Sequence, residues 1–107
     1  TAAVGAVWSS CSPDFGDDAI VDRFGQIEPV VLVTAVEATY AGKRTDVLAK
    51  VRAVLPRLPS VRAVVAAGAD VGEFVPFDAA TAGDPAGFRF ERFSFDHPLV
   101  ILYSSGT

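Results

Sequence analysis

Val30-Val31-Leu32-Val33-Thr34 is an unbroken run of aliphatic and β-branched residues with no polar alternation. A strand with one wet face alternates apolar and polar side chains. An unbroken run therefore predicts a strand buried on both faces, as in a parallel sheet lying between helices. Parallel strands need helical crossovers, and a helical pattern stands on each side of the run. Upstream, Asp17 and Asp18 suit the positive end of a helix dipole, and Ile20, Phe24 and Ile27 recur at helical spacing toward a stop near Pro29. Downstream, Val47, Leu48, Val51, Val54 and Leu55 form one helical face, ended by Pro56 and Pro59. Ala6 to Ser10, Val61 to Ala66 and Leu99 to Tyr103 read as further strands. Between the second strand and second helix, Tyr40-Ala41-Gly42-Lys43 signals a turn. The order β-α-β-α-β-long loop-β predicts an α/β fold: an open, mostly parallel sheet with flanking helices and right-handed crossovers.

The chain has 107 residues, half of them hydrophobic, which allows one small domain that buries about two-thirds of its unfolded surface. That apolar share excludes a disordered tail, and no aliphatic run approaches the roughly 20 residues that span a bilayer. One cysteine and one histidine exclude an internal disulfide and a Cys/His metal set. The first residues carry no initiator Met and no basic segment of a signal peptide, and both ends read as cut within an element. The stretch from Ala67 to His97 is rich in Gly, Asp, Ala and Pro, and six of the eight Phe follow Glu73. A loop that long, with that many aromatic rings, is expected to dock on another part of a larger protein or to form a satellite cluster of its own.

Charge is unevenly placed. Lys43, Arg44, Lys50, Arg52, Arg57 and Arg62 face only Asp46, so residues 43–62 carry +5 in a chain whose net charge is -4. Such a block either gathers anions or is a solvated helix face. Nucleic acid is excluded as a partner, because the chain is acidic overall and no aromatic residues interleave with the basic ones.

In open α/β sheets, ligands bind beyond the carboxyl ends of the strands. Three such ends carry polar chemistry: Ser9-Ser10-Cys11-Ser12, the loop to Tyr40-Ala41-Gly42-Lys43, and Tyr103-Ser104-Ser105-Gly106-Thr107. Hydroxyl residues and Gly after a strand let backbone N–H groups and hydroxyls converge on one anion. The last of the three is thus a phosphate loop in outline, or else an ordinary turn. Cys11 reads as a small buried residue rather than a nucleophile. His97, fixed by Pro98, shapes the approach to the last strand, and Trp8 belongs to a core or an interface.

Four blocks in combination resemble the acetoacetyl-CoA synthetases of the adenylate-forming acyl-CoA synthetase superfamily. They are Trp8-Ser9-Ser10-Cys11-Ser12-Pro13-Asp14-Phe15-Gly16, Asp22-Arg23-Phe24-Gly25-Gln26-Ile27-Glu28-Pro29, Tyr40-Ala41-Gly42-Lys43, and Phe95-Asp96-His97-Pro98-Leu99 through Tyr103-Ser104-Ser105-Gly106-Thr107. The resemblance implies a fragment, residues 1–107, forming one α/β subdomain of a large N-terminal AMP-binding domain. It implies that Ser104, Ser105, Gly106 and Thr107 belong to a loop that binds the ATP phosphates. It also implies, through related acetate-activating enzymes, that Tyr40, Ala41, Gly42 and Lys43 lie against the CoA nucleotide, flanked by the turn at Ser12-Pro13-Asp14. Tyr40 stands where those relatives carry Arg, and Asp14 adds a negative charge. Implied with these are ATP, Mg²⁺ and coenzyme A, acetoacetate as substrate, a cytoplasmic location, and no membrane partner. The acyl pocket, the Mg²⁺ ligand and the catalytic Lys are expected in the remainder of the parent chain, so residues 1–107 alone are expected to be inactive. The alternative is a non-catalytic, flavodoxin-like module that binds a small anion or a protein partner.

Overall fold

The computed structural model describes residues 1–104. Of the expected phosphate loop, Ser105, Gly106 and Thr107 lie outside the described residues. In chain order, the elements are β1 (Trp8–Ser9), α1 (Asp17–Ile27), β2 (Val31–Ala35), β3 (Glu37–Tyr40) and β4 (Lys43–Asp46). They continue with α2 (Val47–Val54), β5 (Ala63–Ala67), β6 (Val75–Pro76), α3 (Phe77–Thr81) and β7 (Val100–Ile101). Two compact units contain them: Ser12–Gly83, and Thr1–Cys11 together with the residues from Asp84 onward.

In the Ser12–Gly83 unit, the order is β2-β5-β6, all parallel. The register pairs Leu32 with Val64 and Thr34 with Ala66. Leu32 packs with Val47 and Val51 of α2 and with Val64, while Ala66 has no exposed surface at all. Each such side chain contributes about 1.5–3 kcal/mol when fully buried, so the apolar stripe of α2 is the main attachment of the helix to the sheet. On the other face of β2, Val31 and Val33 are 54% and 48% exposed. The non-alternating sequence predicts two covered faces, but α2 covers only one, and burial along β2 alternates strictly.

Helix α1 runs from the two predicted aspartates to Ile27, burying Ile20 and Phe24. Glu28, in the left-handed region (φ 48°), closes it by donating its N–H to the Phe24 carbonyl, and Pro29 prevents continuation. Helix α2 starts at Asp46, whose side chain accepts from the Ala49 N–H at 2.9 Å. It stops at Val54, one residue earlier than its apolar stripe, because Pro56 lacks the N–H an α-turn requires; a 3₁₀ turn at Leu55–Arg57 takes over. Four elements were not expected. The segment from Glu37 to Asp46 is an antiparallel hairpin, and the long connection after Ala67 contains β6 and α3. Pro76 is accommodated because β6 is the edge strand.

In the other unit, β1 and β7 form their own two-stranded parallel sheet, Trp8 opposite Val100 and Ser9 opposite Ile101. No described side chain of this unit is buried, and Phe90 and Leu102 are 79% and 76% exposed. Its order comes from contacts around Gly5. With φ 73°, Gly5 turns the chain before β1, and a Cβ there would collide with the Phe93 ring. Phe93 in turn stacks on His97 at 4.4 Å, and His97 Nε2 donates to the Gly5 carbonyl at 2.9 Å. His97 thus shapes the approach to β7 by clasping the segment before β1. The Phe-rich segment forms one edge-to-face pair, Phe88 on Phe90, and both rings stay exposed.

Candidate functional site

Parallel strands β2 and β5 point their carboxyl ends toward residues 36 and 68, and the β3–β4 hairpin rises from that edge. Its two-residue turn has Ala41 at φ 48° and Gly42 at φ 77°, the pairing of positive angles that a type I′ turn demands. Gly adopts this conformation freely; Ala does so at a cost. The register sets Tyr40 directly opposite Lys43. Because side chains alternate, Tyr40, Lys43 and Ala38 share one face, while Glu37, Thr39, Arg44 and Asp46 share the other. The tip therefore presents an aromatic ring, 68% exposed, beside an exposed ammonium.

Most of the basic segment is already matched. Arg44 pairs with Glu37 across the hairpin. Arg52 donates through Nε and Nη2 to the two carboxylate oxygens of Glu73, at 2.9 and 2.8 Å. That fork holds the Glu73 carboxyl well below its ordinary 4.5, at about 2. Arg57 pairs with Asp18 at 2.8 Å. Lys50 donates to the carbonyls of Pro13 and Phe15, each at 2.7 Å. The acids come from outside the basic stretch, so folding offsets three of its charges. Among the described residues, Lys43 is the hairpin cation with no ion pair, and it stands at the tip.

A groove of about 370 Å³ opens at the same edge, between the hairpin, the start of α2 and the turn after β5. Glu37, Asp46 and Asp70 line it against Arg44 and Arg52, so acids outnumber cations and the groove itself is no anion well. Tyr40 and Lys43 lie on the opposite face of the hairpin from the residues that line this groove. Among the described residues, no three His, Cys, Asp or Glu side chains come together as a metal-ligand cluster. No helix among them is long and apolar enough to cross a membrane.

The remaining candidates are placed as follows. Ser9 donates its hydroxyl to the Ile101 carbonyl at 2.9 Å, so it fastens β1 to β7. Ser12 donates to Asp14, and the Phe15 N–H to the Ser12 carbonyl at 3.2 Å closes the turn they share. Ser104 is exposed, three residues beyond β7. Cys11 is half-buried. The structure brings Tyr40 and Lys43 together at one tip. Two contributors escaped the sequence reading. The hairpin was detectable as two four-residue runs separated by a two-residue Ala-Gly turn, whereas the Lys50 clamp, 35 to 37 residues from its acceptors, leaves no local signal.

No protein-family model matches the chain. The acetoacetyl-coenzyme A synthetase of Rhizobium meliloti (strain 1021) is 47% identical over 115 residues, covering 100% of this chain and 18% of that protein. The acetoacetyl-CoA synthetase of Gallus gallus is 38% identical over 121 residues, with 99% of this chain and 18% of that protein covered. The solved acetoacetyl-CoA synthetase from Streptomyces lividans matches 98% of this chain and 17% of its own with a TM-score of 0.84 at 44% identity. The chain thus spans less than a fifth of the length of the relatives it matches, and over its whole length it is homologous to one segment of the acetoacetyl-CoA synthetases.

Proposed function

We propose that the chain is a segment of the large N-terminal AMP-binding domain of an ATP-dependent acid–CoA ligase acting on acetoacetate. The observation that carries this reading is the match along the entire chain to acetoacetyl-CoA synthetases. In the reaction, the acetoacetate carboxylate attacks the α-phosphorus of MgATP, giving acetoacetyl-AMP and pyrophosphate. The CoA thiol then displaces AMP to give acetoacetyl-CoA. MgATP enters as substrate, and no step here depends on a protein ligand to the metal.

In this reading Ser104, Ser105, Gly106 and Thr107 contribute backbone N–H groups and hydroxyls to the ATP phosphates, where fixed donors stabilise developing charge. Tyr40, Ala41, Gly42 and Lys43 receive the CoA nucleotide. The exposed Tyr40 ring offers a stacking surface for adenine, and the unpaired Lys43 ammonium beside it meets a phosphate. The acyl pocket and the catalytic Lys belong to the rest of the parent, and residues 1–107 alone form no acyl-adenylate.

Pyrophosphate release by the full-length parent with acetoacetate, compared with acetate and butyrate, tests the substrate; equal rates would remove acetoacetate. Replacing Thr107 with Val tests the ATP loop, since losing a charge-assisted donor worth about 1.5–3 kcal/mol should slow adenylation about tenfold to a hundredfold. Lys43→Ala tests the CoA half. An exposed pair is worth at most about 1 kcal/mol, so CoA binding should weaken about fivefold, and less at high salt, while adenylation is untouched. An unchanged CoA dependence would return Lys43 to ordinary surface.

A further inference from the structure

Lys50 is poorly placed for the sake of its own helix. It lies near the start of α2, close to the positive end of the dipole, where a cation is disfavoured. The residue is half-buried. What it gains is a pair of 2.7 Å hydrogen bonds to the Pro13 and Phe15 carbonyls. Those oxygens belong to the turn closed by Ser12, Asp14 and Phe15, immediately before α1. Arg23 of α1 lies over the Phe15 ring at 4.4 Å, so the same residue is gripped through its ring and its carbonyl.

Helix α2 thereby carries two segments far apart in sequence. The β3–β4 hairpin runs directly into its first turn through Asp46, which caps it. The turn at 12–15 hangs on the same end of the helix through Lys50. We propose that Lys50 is a positioning residue for the CoA nucleotide: it pins the turn at 12–15 to the helix that bears the Tyr40–Lys43 tip. This rests on the reading of that tip as the CoA site, with the turn at Ser12-Pro13-Asp14 flanking it. Lys50 touches no substrate; its effect passes through the Pro13 and Phe15 carbonyls. A long apolar stem without the ammonium would keep the packing of the helix and release the turn.

The experiment uses the full-length enzyme and the variants Lys50→Met, Lys50→Arg and Lys43→Ala. Three quantities are read: acetoacetate-dependent pyrophosphate exchange, which needs no CoA; KM and kcat with CoA; and amide exchange in the peptide spanning residues 12–16. Lys50→Met should raise KM for CoA by about tenfold with pyrophosphate exchange unchanged and with faster exchange in that peptide, the scale of losing a hydrogen bond to a charged donor. Lys50→Arg, which keeps a charged donor, should recover most of both effects. If Lys43→Ala raises KM for CoA and Lys50→Met does not, the positioning role is overturned and the site reading stands. Equal losses in adenylation and CoA transfer would mark Lys50 as a general fold contact and overturn the proposal. A KM unmoved by Lys43→Ala would remove the site reading, and the proposal with it. Should Lys50→Met fail to fold, Lys50→Gln, which keeps a neutral donor, should give an intermediate KM; a KM equal to that of the parent would overturn the proposal.

Discussion

Replacing Gly42 with Ala isolates the cost of the hairpin turn. Gly42 sits at φ 77°, and a Cβ built there meets no atom within 4 Å. The substitution therefore causes no clash, and its penalty is conformational: an L-residue in the left-handed region costs about 1–2 kcal/mol. Ala41, at φ 48°, already bears such a cost, so the variant would place two alanines in a turn that favours Asn-Gly. If the hairpin opens by itself, its amides should exchange about 5- to 30-fold faster, as 1–2 kcal/mol requires. The amides to follow lie between Glu37 and Asp46, with those of α2 as internal reference. Ala41→Asn should act in the opposite direction, because Asn tolerates this conformation. The assay is amide exchange by mass spectrometry on the full-length enzyme. Exchange in Gly42→Ala within twofold of the parent would refute the argument, since it would mean that neighbouring structure, not the turn, holds the hairpin closed.

Two further outcomes follow from the ion pair and the helix cap. Glu73, held at about 2 instead of 4.5 by Arg52, contributes stability that is present above about pH 4.5 and is lost as pH falls through about 2. Glu73→Gln should flatten the acid side of the stability profile, and a carboxyl titration measured near 4.5 would contradict the fork. Asp46→Ala removes the acceptor of the Ala49 N–H and should destabilise α2 by about 1 kcal/mol, seen as faster exchange at its first turn; unchanged exchange there would mean that water replaces the cap fully.

Local patterning determined a good deal of this protein. The aspartates, the Ile20-Phe24-Ile27 spacing and Pro29 delimit α1 because start, stripe and stop are all short-range effects of backbone hydrogen bonding. The Val47-to-Val54 stripe identified α2 and the residues it buries for the same reason. The four blocks from Trp8 to Thr107 pointed to acetoacetyl-CoA synthetases, and the relatives agree along the whole chain. Other features belonged to the tertiary structure alone. Val30 to Thr34 reads as doubly buried, yet hydrophobicity records only that a face avoids water; what covers it depends on elements placed elsewhere, and α2 covers one side. The +5 segment reads as an anion attractor or a solvated helix face because sequence counts charges along the chain. Folding pairs charges across space, and Glu37, Glu73 and Asp18 take up three of its arginines. Lys43 and Lys50 read alike as members of one basic run. Strand alternation leaves one at an open tip, and a contact spanning 35 residues turns the other inward onto two carbonyls, a distinction only three dimensions can make.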